Sequence, residues 1–292
     1  MRYVKNFLID GFESLKTLSI GEYSFDSVSL GDCVISNCPL LSTISFGNYA
    51  FEHYIYFVLQ NVPSLQAISM NHYNFYSSNL FDINRMIFKS KLSFLDLPEL
   101  KQSLKSLSIG NYDFRNAMQV NLDGFSELTS ISIGEYAFDS KTGYLSIRNC
   151  SKLQTISFGK YSFQYFHVNM SMLNSLQSIT FGQYAFRNTI SLSLHDLPQL
   201  HSITFNQYAF QYTKNASLRN IGKIIGLVFN SYCLDTVDYI SITSNIIFIH
   251  VSIHSLDLPE LRNLEMRDNS VIQVKEVVFE GNSTLLLNWN DE

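Results

Sequence analysis

The sequence predicts a mainly-β repeat solenoid, in which short strands stack coil upon coil with about 24 residues per turn. One eleven-residue phrase recurs four times, as LTSISIGEYAF, LQTISFGKYSF, LQSITFGQYAF and LHSITFNQYAF. The phrases open at 128, 153, 176 and 200, which are 25, 23 and 24 residues apart. All five prolines stand two residues before the leucine that opens such a phrase, or before its shifted equivalent, at 39, 63, 98, 198 and 259.

Each repeat contains two extended segments, which we call the first arm and the second arm. The first arm follows the pattern L-x-x-[IL]-[ST]-[IF]-G-x-Y-x-F, and Ile131 and Ile133 alternate there with serines as in a strand with one buried face. The second arm follows L-x-I-x-x-[CL]-x-x-L, as in Leu145–Leu153, and alternates again. Because both arms are strand-like, we expect few or no long helices.

Three positions of the first arm are nearly constant. After the strand only Gly or Asn occurs, at 21, 47, 71, 110, 134, 159, 182, 206 and 230, and we expect a left-handed bend there. Phenylalanine recurs at 25, 51, 75, 114, 138, 163, 186 and 210, and we expect it in the core. Tyrosine recurs two residues before each Phe, and we expect its ring at the core edge rather than in an exposed strip for sugars or bases.

The repeat pattern predicts a single solenoid over residues 1–292 with about 11 coils, an estimate based on one repeat per coil. The spacing breaks in two places. Leu65 and Leu104, which each open a first arm, are 39 residues apart, and this spacing indicates an insertion loop near 76–91. The coil near 249–261 is irregular. A polar tail follows at 288–292.

Composition excludes several classes of function. Charged residues make up 15% of the chain and the net charge is −5, with no basic patch for nucleic acid. The N-terminus has no signal-peptide pattern and no apolar run is long enough to cross a bilayer, which favours an intracellular location without fixing the compartment. Cys38 and Cys150 occupy a core position of the second arm, where a free thiol acts as a small hydrophobe.

The phrase Ile-Gly-x-Tyr-Ala-Phe at Ile133–Phe138, with Asn-Cys-x-x-Leu at Asn149–Leu153, resembles the BspA-like subclass of leucine-rich repeat proteins. The likeness extends from about residue 7 to residue 287. The resemblance implies a right-handed, leucine-rich-repeat-type coil and a curved, non-catalytic scaffold that binds proteins or surface ligands. The subclass's Ile-Pro step after the strand is missing here, and Tyr stands where many such repeats carry an Asn ladder.

No grouping of residues indicates catalysis, a cofactor or a metal. His250 and His254 are four residues apart, which would suit a metal ion on a helix, but VSIHSLDL has a strand pattern. The candidate partner-binding face therefore consists of a variable position between the Gly/Asn and the Tyr, together with outward hydroxyls of the first arm. These residues are Glu22, Asn48, His72, Asn111, Glu135, Lys160, Gln183 and Gln207, with Ser132, Ser157 and Thr180.

The leading hypothesis is a non-enzymatic scaffold that binds a protein partner along a strand-lined face. An alternative is a structural or adhesive segment of a longer cell-surface protein, because the array starts at Phe7 without a polar capping unit and could associate end to end. A polysaccharide-processing solenoid enzyme would need carboxylates clustered on one face, whereas the acidic residues here are scattered across the repeat.

Overall fold

The computed structural model describes residues 4–25, 31–76, 80–81, 98–139, 142–222, 226–230, 232–234, 239–243, 251–253, 263–267, 277–279 and 287–289. Within these ranges the chain is a parallel β-solenoid with two strands per repeat, which confirms the predicted fold class. The single helix among the described residues, α1, is one turn at Pro98–Lys101.

The strands are short, as the two-residue alternation of each arm predicts. In chain order they are β1 (Asn6–Asp10), β2 (Thr17–Ile20), β3 (Gly31–Ser36), β4 (Thr43–Phe46), β5 (Tyr54–Gln60), β6 (Ala67–Met70), β7 (Leu80–Phe81), β8 (Ser106–Ile109), β9 (Gln119–Asp123), β10 (Ser130–Ile133), β11 (Gly143–Arg148), β12 (Thr155–Phe158), β13 (Phe166–Ser171), β14 (Ser178–Phe181), β15 (Ser191–Leu197), β16 (Ser202–Phe205), β17 (Asn215–Ile221), β18 (Gly226–Phe229), β19 (Tyr239–Thr243), β20 (Val251–Ile253), β21 (Asn263–Arg267), β22 (Val277–Phe279) and β23 (Leu287–Trp289).

The first arms form one long sheet and the second arms form two shorter ones. The long sheet has eleven parallel strands in the order β2-β4-β6-β8-β10-β12-β14-β16-β18-β20-β22. The second arms form a four-stranded sheet, β1-β3-β5-β7, and an eight-stranded sheet that runs from β9 to β23. Each strand pairs with its equivalent one repeat away, so identical positions of the repeat align in columns along the molecule.

The core lies between the two arms and is filled by their alternating apolar residues. In β10, for example, Ile131 and Ile133 are buried while Ser132 is exposed. The Phe column is confirmed as core, because from Phe51 to Phe210 each of its rings is fully buried. Successive rings stack almost parallel, as Phe163 does on Phe186 at 5.3 Å between centroids. All four cysteines are also buried, and none of them forms a disulfide.

The prediction of a left-handed bend at the Gly/Asn position is wrong. Positive φ occurs instead at the Tyr and Phe of each repeat, with φ of 58° at Tyr161 and 53° at Phe163. Glycine is favoured after the strand because successive coils approach closely there. A Cβ added at Gly159 would lie 2.4 Å from the carbonyl carbon of Gly134. A second left-handed column ends the second arm and includes Asn149, Asn220 and their equivalents.

The 39-residue spacing does not interrupt the long sheet. β6 pairs directly with β8, with Ala67 opposite Ser106 and Ser69 opposite Ser108. The predicted loop at 76–91 lies outside the described residues except at 76 and 80–81. The predicted irregular coil at 249–261 and the polar tail at 288–292 also lie outside them, apart from residues 251–253 and 288–289. These parts of the domain organisation remain predictions.

Candidate functional site

The variable position proposed from the sequence forms a continuous row beside the end of the long sheet. Backbone hydrogen bonds align its members, since each following Tyr N–H donates to the row residue of the next coil, as Tyr136 does to Lys160 O at 2.8 Å. Glu22, His72 and Glu135 are exposed, and the other five residues are half-buried. The fold therefore brings together all eight row residues predicted from the sequence.

Much of this row is occupied by contacts between coils. Asn48 donates its side-chain amide to a Glu22 carboxylate oxygen at 2.9 Å, and the backbone N–H of His72 donates to Asn48 Oδ1 at 3.2 Å. In the same way the N–H groups of Asn111 and Glu135 donate to the side chain one coil before them. These side chains stabilise the stack, so only part of their hydrogen-bonding capacity is available to a partner.

The outward hydroxyls lie on the long sheet in register. Ser132 stands opposite Ser157, which in turn stands opposite Thr180. The first two side chains are exposed and Thr180 is half-buried. This face is uncharged along these columns, so it offers hydrogen bonds but little electrostatic discrimination between partners.

The tyrosine column forms a ladder next to the row. Nine rings from Tyr23 to Tyr232 stack with centroids 4.5–5.0 Å apart and interplanar angles of at most 18°. Between the two end rings the tyrosines are half-buried. Because neighbouring rings cover each other's faces, the inner rings cannot stack on sugars or bases, which agrees with the interpretation of the column as structural. Partial burial and the adjacent hydroxyls raise the pKa of Tyr112 and Tyr136.

A stripe of exposed apolar side chains was missed by the sequence analysis. We call it the apolar stripe: one large residue from each of five consecutive coils, Met118, Tyr144, Tyr165, Ile190 and Tyr212, with 43–65% of each exposed. The segments that carry them stack through backbone bonds, such as Tyr144 N to Met118 O at 3.0 Å. Four of its members precede the second-arm strand of their coil, and Tyr144 is the second residue of β11. Residue identity varies there between repeats, so no repeated pattern revealed the stripe.

Arg187 joins the apolar stripe to the tyrosine ladder. Its guanidinium carbon lies 5.4 Å from the Tyr184 ring of the ladder and 5.1 Å from the Tyr212 ring of the stripe. Its Nε donates to Gln211 at 2.7 Å and its Nη2 to the Tyr212 hydroxyl at 3.1 Å. Both partners are neutral, so the positive charge of Arg187 is not compensated by a carboxylate among the described residues.

Arg115 occupies the same position of the repeat and provides a contrast. Its Nε forms an ion pair of 2.7 Å with Asp139, whose carboxylate is buried beneath it. Burial raises the pKa of Asp139, although the ion pair with Arg115 draws it down. The charge of Arg115 is therefore neutralised within the fold, unlike that of Arg187.

One buried carboxyl group lies within the coil stack. Asp113 accepts hydrogen bonds from the backbone N–H groups of Asn74 at 2.6 Å and Gly110 at 2.8 Å. Burial raises its pKa well above the ordinary value, although these bonds act in the opposite direction. The position holds Ala or Ser in most coils. Because this group is fully buried, we assign it a structural effect rather than a chemical one.

The described residues contain no group of three or more His, Cys, Asp or Glu side chains that could hold a metal ion. His250 and His254 lie outside the described part of the chain. In the part that is described, no helix has the length and apolar character needed to span a bilayer.

Comparison with known proteins agrees with the geometry. No curated protein and no solved structure matches this chain. The family model for the BspA-type leucine-rich repeat region, with six copies, matches residues 82–217 and 157–286. These residues make up more than half of the sequence and carry the columns described above. The chain therefore belongs to the BspA-type leucine-rich repeat family.

Proposed function

We propose that this chain is a non-catalytic scaffold that binds a protein partner through the surface formed by the apolar stripe, the tyrosine ladder and the adjoining row. Membership of the leucine-rich repeat family supports a protein-interaction or adhesion role in general. The observation that favours this surface in particular is the apolar stripe on five consecutive coils. Soluble proteins rarely leave contiguous apolar side chains exposed unless the patch has a binding role.

The composition of the surface is typical of a protein interface. Tyr and Arg are enriched among residues that contribute most to binding energy, and Tyr offers large contact area at low conformational cost. The stripe contains three tyrosines, and Arg187 lies against one of them. The polar row on the other side of the ladder provides the hydrogen-bonding rim that such interfaces have.

The charge of Arg187 suggests the chemistry of the partner. Its guanidinium is held between Tyr184 and Tyr212 by neutral groups, so an acidic side chain would be its natural counterpart. The partner segment that fits is one in which an Asp or Glu is flanked by apolar residues that cover the stripe. The proposed surface includes the strand-lined face predicted from the sequence, because the row follows the strands of the long sheet and Thr180 lies in one of them.

Quantitative capture from the native cell, with the whole chain as bait, tests the proposal. We expect preys that bind wild type to lose about tenfold or more in affinity with Tyr212→Ser or Arg187→Gln, as for contacts at an interface centre. Leu40→Ser provides the matched control, since Leu40 is an exposed apolar residue on the opposite turn of the coil. Preys that respond equally to all three variants, or to none, would refute this surface.

The alternative role as a structural or adhesive segment of a longer cell-surface protein makes a different prediction. An adhesive array would attach to cell surfaces, and its binding would not saturate as binding to a single protein ligand does. A binding isotherm that never saturates, unchanged by Glu135→Lys and Lys160→Glu, would favour that role. Saturable binding that these two charge reversals weaken would favour the scaffold.

A further inference from the structure

The tyrosine ladder is a continuous column of aromatic rings. Its eight ring contacts have centroids 4.5–5.0 Å apart, and the two rings of each contact are parallel to within 18°. The column is unbroken even where Leu65 and Leu104 are 39 residues apart, because Tyr73 stacks on Tyr112 at 4.5 Å and 4°. Each phenol ring of the ladder is therefore in face-to-face contact with the ring of the neighbouring coil.

Ring stacking alone does not explain why these rings are phenols. The Phe column adopts the same left-handed backbone conformation, with φ of 53° at Phe163 against 58° at Tyr161. Its rings also stack from coil to coil, as Phe163 does on Phe186. A ring without a hydroxyl is thus compatible with this backbone and this stack. The hydroxyl adds a polar contact at the half-buried edge of the ladder. It also adds an O–H bond from which a radical can take a hydrogen atom.

The hydroxyls of successive coils lie near one another. Partial burial, and after it the neighbouring Tyr73 hydroxyl, raise the pKa of both Tyr49 and Tyr112. These two phenols therefore keep their protons at neutral pH. When such a ring loses an electron it also loses its proton, and a ring that has lost both has a protonated phenol beside it.

We propose that the tyrosine ladder carries oxidising equivalents from coil to coil, with oxygen-centred radicals of the peroxyl class as the oxidant. The proposal goes beyond the protein-binding role above and does not rest on it. A peroxyl radical takes a hydrogen atom from one tyrosine. The phenol O–H bond breaks, a hydroperoxide forms, and a neutral tyrosyl radical is left on the ring.

The contact between neighbouring rings then lets the radical move. The phenol of the next coil gives an electron to the tyrosyl radical through the stacked faces, and its proton passes to the radical's oxygen, directly or through water. One O–H bond forms and one breaks, so no net charge moves along the ladder. The charges beside it, such as Lys160 at 5.3 Å from the Tyr161 ring, therefore do not trap the radical. A thiol reductant ends the sequence by returning a hydrogen atom and becoming a thiyl radical.

Site-directed photo-oxidation of the whole chain tests this path. A ruthenium polypyridyl complex is attached at Glu135→Cys, an exposed position next to Tyr136, whereas the native cysteines are buried. After a flash, a cobalt(III) quencher accepts an electron from the complex, which then oxidises Tyr136, and water takes the proton. A nitroso spin trap and mass spectrometry locate the radicals. We expect adducts at Tyr73, two coils away on one side, and at Tyr208, three coils away on the other.

The blocking variant combines Tyr161→Phe with Tyr184→Phe, which keeps a ring in both coils and removes both O–H bonds. We expect it to lose the adducts at Tyr208 and to keep those at Tyr73 as in wild type. Tyr165→Phe is the matched control, because it removes a phenol of the apolar stripe that is outside the ladder, and it should change neither yield. Adducts confined to the injection site in wild type, a wild-type yield at Tyr208 in the blocking variant, or equal losses at both tyrosines would each overturn the proposal.

Discussion

The stacked Phe column makes a graded prediction about stability. Phe186 is fully buried and contacts four other rings: Phe158, Phe163, Phe181 and Phe210, at 5.0–5.8 Å between centroids. Phe25, in the first coil, is partly buried and contacts the rings of Phe7 and Phe51. We therefore expect truncation to Ala to be far more damaging in the middle of the array than at its end.

The magnitudes follow from burial and ring contacts. Phe186→Ala should lower the free energy of unfolding by about 3–5 kcal/mol, as for large-to-small changes in a close-packed core. Phe25→Ala should lower it by roughly 1–2 kcal/mol, because part of that side chain already contacts water. The central residue also supports two coil interfaces, whereas the terminal one supports a single interface.

Urea unfolding followed by circular dichroism measures both losses, and amide hydrogen exchange shows which coils lose protection. For Phe186→Ala we expect faster exchange in the coils on both sides, since nearest-neighbour contacts hold the array together. For Phe25→Ala we expect faster exchange only near the N-terminal end. Equal losses in the two variants, or a loss below about 2 kcal/mol at Phe186, would refute the reasoning.

Three further predictions follow from the columns. Gly159→Ala should destabilise by about 1–3 kcal/mol in thermal or urea unfolding because its Cβ meets backbone, whereas Gly21→Ala, with no coil before it among the described residues, should be nearly neutral. Asp113 has a raised pKa, so the stability it contributes is present at acid pH and lost as pH rises through that pKa. In Asp113→Ala, the free energy of unfolding should therefore decrease less between acid and neutral pH than it does in wild type. Burial raises the pKa of Cys150 to about 12, so Ellman's reagent should label no described cysteine before unfolding.

The repeat itself made the fold predictable. A two-residue alternation specifies a strand with one buried face, and a constant spacing specifies that equivalent residues stack, so Ile131 and Phe163 could be assigned to the core. The row of candidate contact residues followed from the same register, and the structure brings it together. What periodicity could not reveal was how many of these side chains bond to the neighbouring coil, as Asn48 does with Glu22.

Two features escaped prediction for physical reasons. Positive φ was assigned to Gly and Asn because those residues adopt it most readily, but here Tyr161 and Phe163 adopt it while Gly159 does not. The N–H groups of these residues donate to neighbouring coils, as Tyr161 does to Gln183 O and Phe163 to Ala137 O, so contacts between coils override local preference. The apolar stripe escaped because its members, such as Met118 and Tyr144, lie at different distances after the Phe of their coils.

The left-handed aromatic residues have a consequence for how such a protein can change over evolutionary time. Each one costs about 1–3 kcal/mol of backbone strain, and the backbone hydrogen bonds and stacked rings of adjacent coils offset it. An isolated coil would bear that strain without the compensation, so it has no stable form of its own. A new coil therefore cannot be added a few residues at a time, although a connection between coils can lengthen, as it does between Leu65 and Leu104. The number of coils changes by duplication or deletion of entire repeats, each of which arrives with its Tyr and Phe already in phase with those of its neighbours.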